Sequence, residues 1–133
     1  MAVAPKVKAK EIQVKVNELP RTAKAARSHA RARLGAWGWA DSEWGCLEAL
    51  WTAESNFRPS ARNHTGVRVR GSDGRVRVLY AGGIPQILGL DPALSVENQV
   101  RRGFLYIQER YGSPCRAWSV WKQNGVKNGF GWY

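Results

Sequence analysis

A mainly α, α+β domain is what this chain predicts, and three observations carry it. Four stretches read as helices, one stretch alternates Val and Arg about a Ser-Asp-Gly turn, and 44% of the 133 residues are apolar. That length supports one domain with a single core and is too short for two. Seven tryptophans exclude a wholly disordered chain and suggest aromatic walls around a groove. Charge is lopsided: 21 Lys and Arg against 10 Asp and Glu give +11, which favours anionic partners such as nucleic acid, an anionic glycan or an acidic membrane. No run approaches the apolar length of a membrane span, so no transmembrane segment is expected.

The first 20 residues read as a basic arm. IQVKV alternates like a strand, while the surrounding lysines and Pro20 suggest exposure. The segment lacks the apolar central block of a secretory signal. Up to Arg33, nine basic side chains face only Glu11 and Glu18. A solvated tail with a basic helix face is one reading; a docking arm for a partner protein or an anionic polymer is the other.

Residues 21 to 133 form the domain. Thr22 caps an alanine-rich helix predicted to run to about Trp37, with Gly35 or Gly38 near its end. A second helix is expected after Asp41 or Ser42 and reaches Ser55. A hairpin insertion at about 67–80 should put valine on one face and arginine on the other. A third helix, Val96 to Tyr111, aligns Val100, Phe104, Ile107 and Tyr111 on one stripe. Pro114 opens a fourth, shorter helix through about Lys122, before a Gly-rich aromatic tail, NGFGWY.

Most catalytic templates have no support: there is no Walker loop, HExxH, CxxC or GxSxG. His29 and His64 read as a surface and a loop residue, so neither a metal nor a cofactor is expected. Cys46 and Cys115 lack the spacing of a zinc site. They form either one disulfide joining the second helix to the C-terminal segment, which points to a virion or extracellular setting, or two buried thiols.

Among the carboxylates, Asp41 reads as a helix cap, Asp73 lies in the hairpin turn and Asp91 precedes Pro92; the six glutamates other than Glu54 fall on the arm or on solvated helix faces. Glu54 differs. At helical spacing it continues the stripe of Trp44, Leu47 and Trp51, with Leu50 beside it. Burial and the negative end of the helix dipole both raise the pKa of an acid placed there. Held protonated near neutral pH, it can donate a proton. Taken alone, one acid on one apolar stripe supports a helix-end role equally.

Its companions shift that balance. Gly38-Trp39, Glu54-Ser55, Ala61-Arg62-Asn63, Gly83-Ile84-Pro85-Gln86, Tyr106-Ile107 and Tyr111-Gly112-Ser113-Pro114-Cys115 follow in order, closing on GWY. Over about residues 36 to 133 this order resembles the lysozyme-like lytic transglycosylases of actinobacteria and their phages. The resemblance implies a lysozyme-like fold that cleaves the β-1,4 bond between N-acetylmuramic acid and N-acetylglucosamine in peptidoglycan glycan strands. Glu54 would serve as both acid and base, with Ser55, Asn63, Gln86 and Tyr106 on the substrate. Two departures stand out: the Val/Arg hairpin separates Gly66 from Ala81, with Gly82 in the family's tyrosine position, and a basic arm replaces a signal peptide. The hairpin is expected either to cover the groove with positive charge or to alter which strands fit. The arm suits a phage virion component, docked on tail proteins, that degrades the wall locally. Alternatives are a hydrolytic muramidase and a wall-binding or structural virion module with weak turnover; nucleic-acid binding rests on charge alone, with no recognised module.

Overall fold

The computed structural model describes residues 18–128 and 131–133. The expected arm up to residue 17, with its alternating IQVKV run, lies outside them. The described chain is α+β, with four α-helices and two small antiparallel sheets. No described helix is long and apolar enough to cross a membrane.

Helix α1 is Ala23–Arg33, and Thr22 caps it by accepting the Ala25 amide at 3.1 Å. It stops short of Trp37 because Leu34 bonds back three residues to Arg31, a tightening that continues as a 3-10 turn, Gly35–Trp37. Gly38 then takes φ 78°, a left-handed conformation that costs glycine little. A second 3-10 turn, Asp41–Glu43, leads into α2, Trp44–Ser55. Helix α3 spans Val96–Arg110 and is capped by Ser95. Helix α4 spans Pro114–Asn128, reaching beyond the expected end near Lys122.

The core is built around α2. Leu47, Leu50 and Trp51 have no exposed surface, and neither do Phe57, Ile84, Phe104 and Ile107 packed with them. Burial of each large apolar side chain of this kind contributes about 1.5–3 kcal/mol. The aromatic rings interlock: Trp51 lies 5.5 Å from Phe104 and 5.9 Å from Phe57, centroid to centroid. Close approach of α3 requires Gly103, where a Cβ would lie 2.5 Å from the Trp51 ring and 2.9 Å from Pro85.

Helices α2 and α4 run side by side in the same direction. A disulfide joins Cys46 to Cys115 near their starts, and Trp121 bonds Glu54 farther along. Of the two readings of the cysteines, the bonded one therefore holds. Glu43, expected on a solvated face, instead accepts the Cys115 amide at 3.0 Å. A carboxylate there complements the positive end of the α4 dipole.

Strands β1 (Val67–Arg70) and β2 (Val76–Leu79) form the expected hairpin. Their register corrects the face assignment. Val67 pairs with Leu79, Arg68 with Val78, Val69 with Arg77 and Arg70 with Val76, so each face carries both valine and arginine. A one-residue slip would have segregated them, but with both faces largely in water no burial selects that slip. The turn sets the pairing instead: Gly71 and Arg75 share a 2.8 Å bond, and Gly74 takes φ 79°. Strands β3 (Ala81–Gly82) and β4 (Ile87–Leu88) flank Gly83-Ile84-Pro85-Gln86, which is a tight turn.

Candidate active site

Glu54 occupies the last turn of α2, partly buried, and the Trp121 indole of α4 donates to its Oε1 at 2.7 Å. Burial pushes its pKa up to about 7, against the Trp121 bond, which favours the ionised form. The helix end contributes less than the sequence suggests, because its carbonyls are occupied. The Asn56 amide bonds to Thr52, the Phe57 amide to Trp51, and both the backbone and the side chain of Arg58 bond to Ser55. Among the described residues no lysine or arginine forms an ion pair with Glu54. Desolvation is what sets this acid.

Neither Asp73 nor Asp91 joins it. Asp73 stays in the hairpin turn, holding the Arg75 amide at 3.0 Å and Arg77 at 3.2 Å. Asp91 holds the Ala93 amide at 2.9 Å. No cluster of three or more His, Cys, Asp or Glu suited to a metal occurs among the described residues.

Two tyrosines lie within electrostatic reach of the carboxyl. Tyr133 accepts from the Trp51 indole at 3.1 Å and donates to the Pro85 carbonyl at 2.8 Å. Burial holds its hydroxyl well above the ordinary range, and the Glu54 charge adds to that. Tyr106 donates to the Tyr133 main-chain oxygen at 3.1 Å. Its pKa is raised by burial, with Arg110 opposing and Glu54 reinforcing the shift. Tyr106, expected on the substrate, thus lies close enough to Glu54 to feel its charge. Its hydroxyl donor is engaged within the protein.

The other expected ligand-facing residues are used internally. Ser55 is buried and its hydroxyl donates to the Ile84 carbonyl at 2.6 Å, so it pins the 83–86 turn to α2 instead of facing a sugar. Gln86 folds its amide nitrogen back onto Gly83 and Ala61, at 2.9 and 3.3 Å, which ties the turn to the 61–63 loop. Asn63 is exposed and accepts the Thr65 amide at 2.9 Å. Ser55 and Gln86 thus hold the backbone around Glu54, while Asn63 shapes a neighbouring loop.

Backbone strain concentrates here. Asn56, Phe57 and Gln86 are the three described non-glycine residues with positive φ, at 53°, 57° and 53°. Two follow the Glu54-Ser55 pair directly, and the third ends the turn that Ser55 and Tyr133 grip. A bulky residue such as Phe57 adopts that conformation only when packing enforces it, and such strain gathers at functional sites. Here Trp44, Trp51 and the Arg27 guanidinium, 4.8 Å above its ring, enclose Phe57.

Sequence reasoning missed Trp121, Tyr133 and Gln99. Gln99 has no exposed surface; its Oε1 accepts the Ile84 amide at 2.8 Å and its Nε2 reaches the carbonyls of Pro59, Pro92 and Leu94, each at 3.0 Å. It fixes three loops at once. The signal for Tyr133 was the aromatic tail: a Cβ at Gly131 would lie 2.2 Å from the Trp121 ring, so the tail lies flat on that indole only with glycine there.

Comparison with protein-family models, with curated proteins and with solved structures finds no match to this chain.

Proposed function

We propose that this chain is a peptidoglycan lytic transglycosylase on a lysozyme-like scaffold, cleaving the β-1,4 bond between N-acetylmuramic acid and N-acetylglucosamine. The observation that carries this reading is one desolvated carboxyl with a pKa of about 7, hydrogen-bonded by an indole and free of any ion pair among the described residues. Paired-carboxylate glycosidases divide the work between two acids. A single-acid site suits a reaction in which one group serves twice.

Protonated Glu54 gives its proton to the leaving glycosidic oxygen as the bond to C1 breaks, with the substrate acetamide assisting. The resulting carboxylate, steadied by the Trp121 N–H, then takes the proton of the C6 hydroxyl as that oxygen bonds to C1. The product is a 1,6-anhydromuramyl end, and the acid is protonated again. A pKa near neutrality suits both halves of the cycle. The Cys46–Cys115 disulfide suits work outside a reducing cytosol, and the basic chain suits an anionic wall. We place it in a phage tail, opening the wall locally for genome delivery.

Mass spectrometry of muropeptides released from purified walls tests this. Wild type should yield anhydromuramyl ends, and Glu54→Gln should reduce release by at least a hundredfold. Equal release by the two proteins would remove Glu54 from the mechanism. Reducing muramic ends would mean that water, and not the C6 hydroxyl, attacks.

A further inference from the structure

The Val/Arg hairpin is the part of the fold that the proposed chemistry does not use. Valines bury little there: Val67, Val76 and Val78 are 44%, 42% and 53% exposed. A two-stranded hairpin with both faces in water is marginal on its own, so core formation does not account for it. Its base is where it meets the rest of the described fold: Gly66 lies against Val78 and Tyr80, and Leu79 approaches Gly89. What it displays is charge. Four arginines stand against Asp73 alone. Arg77 pairs with that aspartate at 3.2 Å, and Arg70 donates to the Gly74 carbonyl at 2.8 Å. Arg68 and Arg75 have no side-chain hydrogen bond or ion pair among the described residues.

The arrangement narrows the partner. Along β1, Arg68 and Arg70 lie on one face about 6.7 Å apart, a spacing suited to successive charges on an extended polyanion. An interfacial membrane element needs its apolar and cationic side chains on opposite faces, and this register mixes them. Single-stranded nucleic acid is held by aromatic stacking, and a duplex groove is read partly by amide side chains. Residues 67–79 contain no aromatic, Asn or Gln. This composition fits a repeating phosphate backbone without bases better than a nucleic acid read through its bases.

We propose that the hairpin is a docking arm for a phosphodiester polymer of the cell wall, which its arginines grip while Glu54 cuts the adjoining glycan. This rests on the reading of Glu54 as a wall-cleaving acid. The strands' β-branched residues keep the arm extended, and the mixed register presents guanidinium groups on both sides.

The test compares wild type, Glu54→Gln, the combined variant Arg68→Gln/Arg70→Gln/Arg75→Gln and its Lys counterpart, each first shown to be folded by circular dichroism. Binding is measured on walls that retain the phosphodiester polymer, on walls chemically stripped of it, on the isolated polymer and on duplex DNA, over a salt series. Wild type and Glu54→Gln should bind polymer-bearing walls at least tenfold more tightly than stripped ones. The Gln variant should lose that preference, with a log–log salt slope shallower by about 2 to 3, and the Lys variant should keep it. Equal binding to stripped walls, undiminished binding by the Gln variant, or tighter binding to DNA than to the polymer at matched salt would each overturn the proposal. Binding is read separately from cleavage, so an inactive wild type would count against the Glu54 reading and leave the docking result to stand or fall by itself.

Discussion

An acid that titrates near neutrality must begin each cycle protonated, so cleavage should decline as pH rises through about 7, the pKa that burial gives Glu54. Trp121 makes the position of that decline testable. Its N–H stabilises the carboxylate, the charged form, and so pulls the pKa down against desolvation. Removing the donor while keeping an aromatic ring, in Trp121→Phe, should move the alkaline limb of the pH–rate profile upward by about half a unit to one unit. The maximal rate should fall as well, because the carboxylate formed after proton transfer loses its partner. A limb that stays in place would mean that another group titrates in the profile. Glu54 was legible in the sequence because it keeps phase with Trp44, Leu47 and Trp51. Trp121 was not. It lies 67 residues away, and an aromatic residue on a helix looks like any other core residue until the fold shows what its N–H reaches.

At the scale of elements, what was legible follows locality. Caps and apolar periods lie within a few residues, so Thr22, the run Trp44–Ser55 and the stripe of α3 came through. The far end of α4 did not, since its last turns follow a short aromatic stretch whose partners, Glu54 and the tail, are distant in sequence. The hairpin's existence was legible and its register was not, because alternation fixes the pairing only where one face is buried. The contact between α3 and α2 shows how little slack the core has. At an open helical site, Gly→Ala would stabilise by about 1 kcal/mol through propensity alone. At Gly103 the added methyl would meet Trp51 and Pro85 inside 3 Å, and both belong to the framework around Glu54. Overpacking of this kind costs about 1–3 kcal/mol, so it outweighs the propensity gain. Gly103→Ala should therefore lower the urea midpoint, and Pro85 should shift against Tyr133, whose hydroxyl bonds its carbonyl. A raised midpoint would show that the helices part without strain.

For the molecule as a whole, the Cys46–Cys115 bond decides how firmly the site is held. It closes a loop of 69 residues, for which chain entropy gives about 4 kcal/mol. The same bond fixes α4 beside α2 and so keeps Trp121 within reach of Glu54. Reduction, or the double variant Cys46→Ala/Cys115→Ala, should lower the unfolding free energy by about 2–4 kcal/mol, and the calorimetric midpoint by roughly 10 °C. The Glu43 cap on the Cys115 amide and the Trp39 bond to the Gly112 carbonyl remain, so the start of α4 should stay docked below that midpoint. Farther along, the helix gains freedom to move off α2. The indole bond should then be populated less, and the alkaline limb of the reduced protein should shift in the same direction as in Trp121→Phe, by a smaller amount. The double alanine variant must behave alike with and without reductant, which separates loss of the cross-link from other effects of thiols. A midpoint lowered with no movement of the limb would mean that the cross-link supports the fold alone, and that α4 holds Trp121 against Glu54 without it.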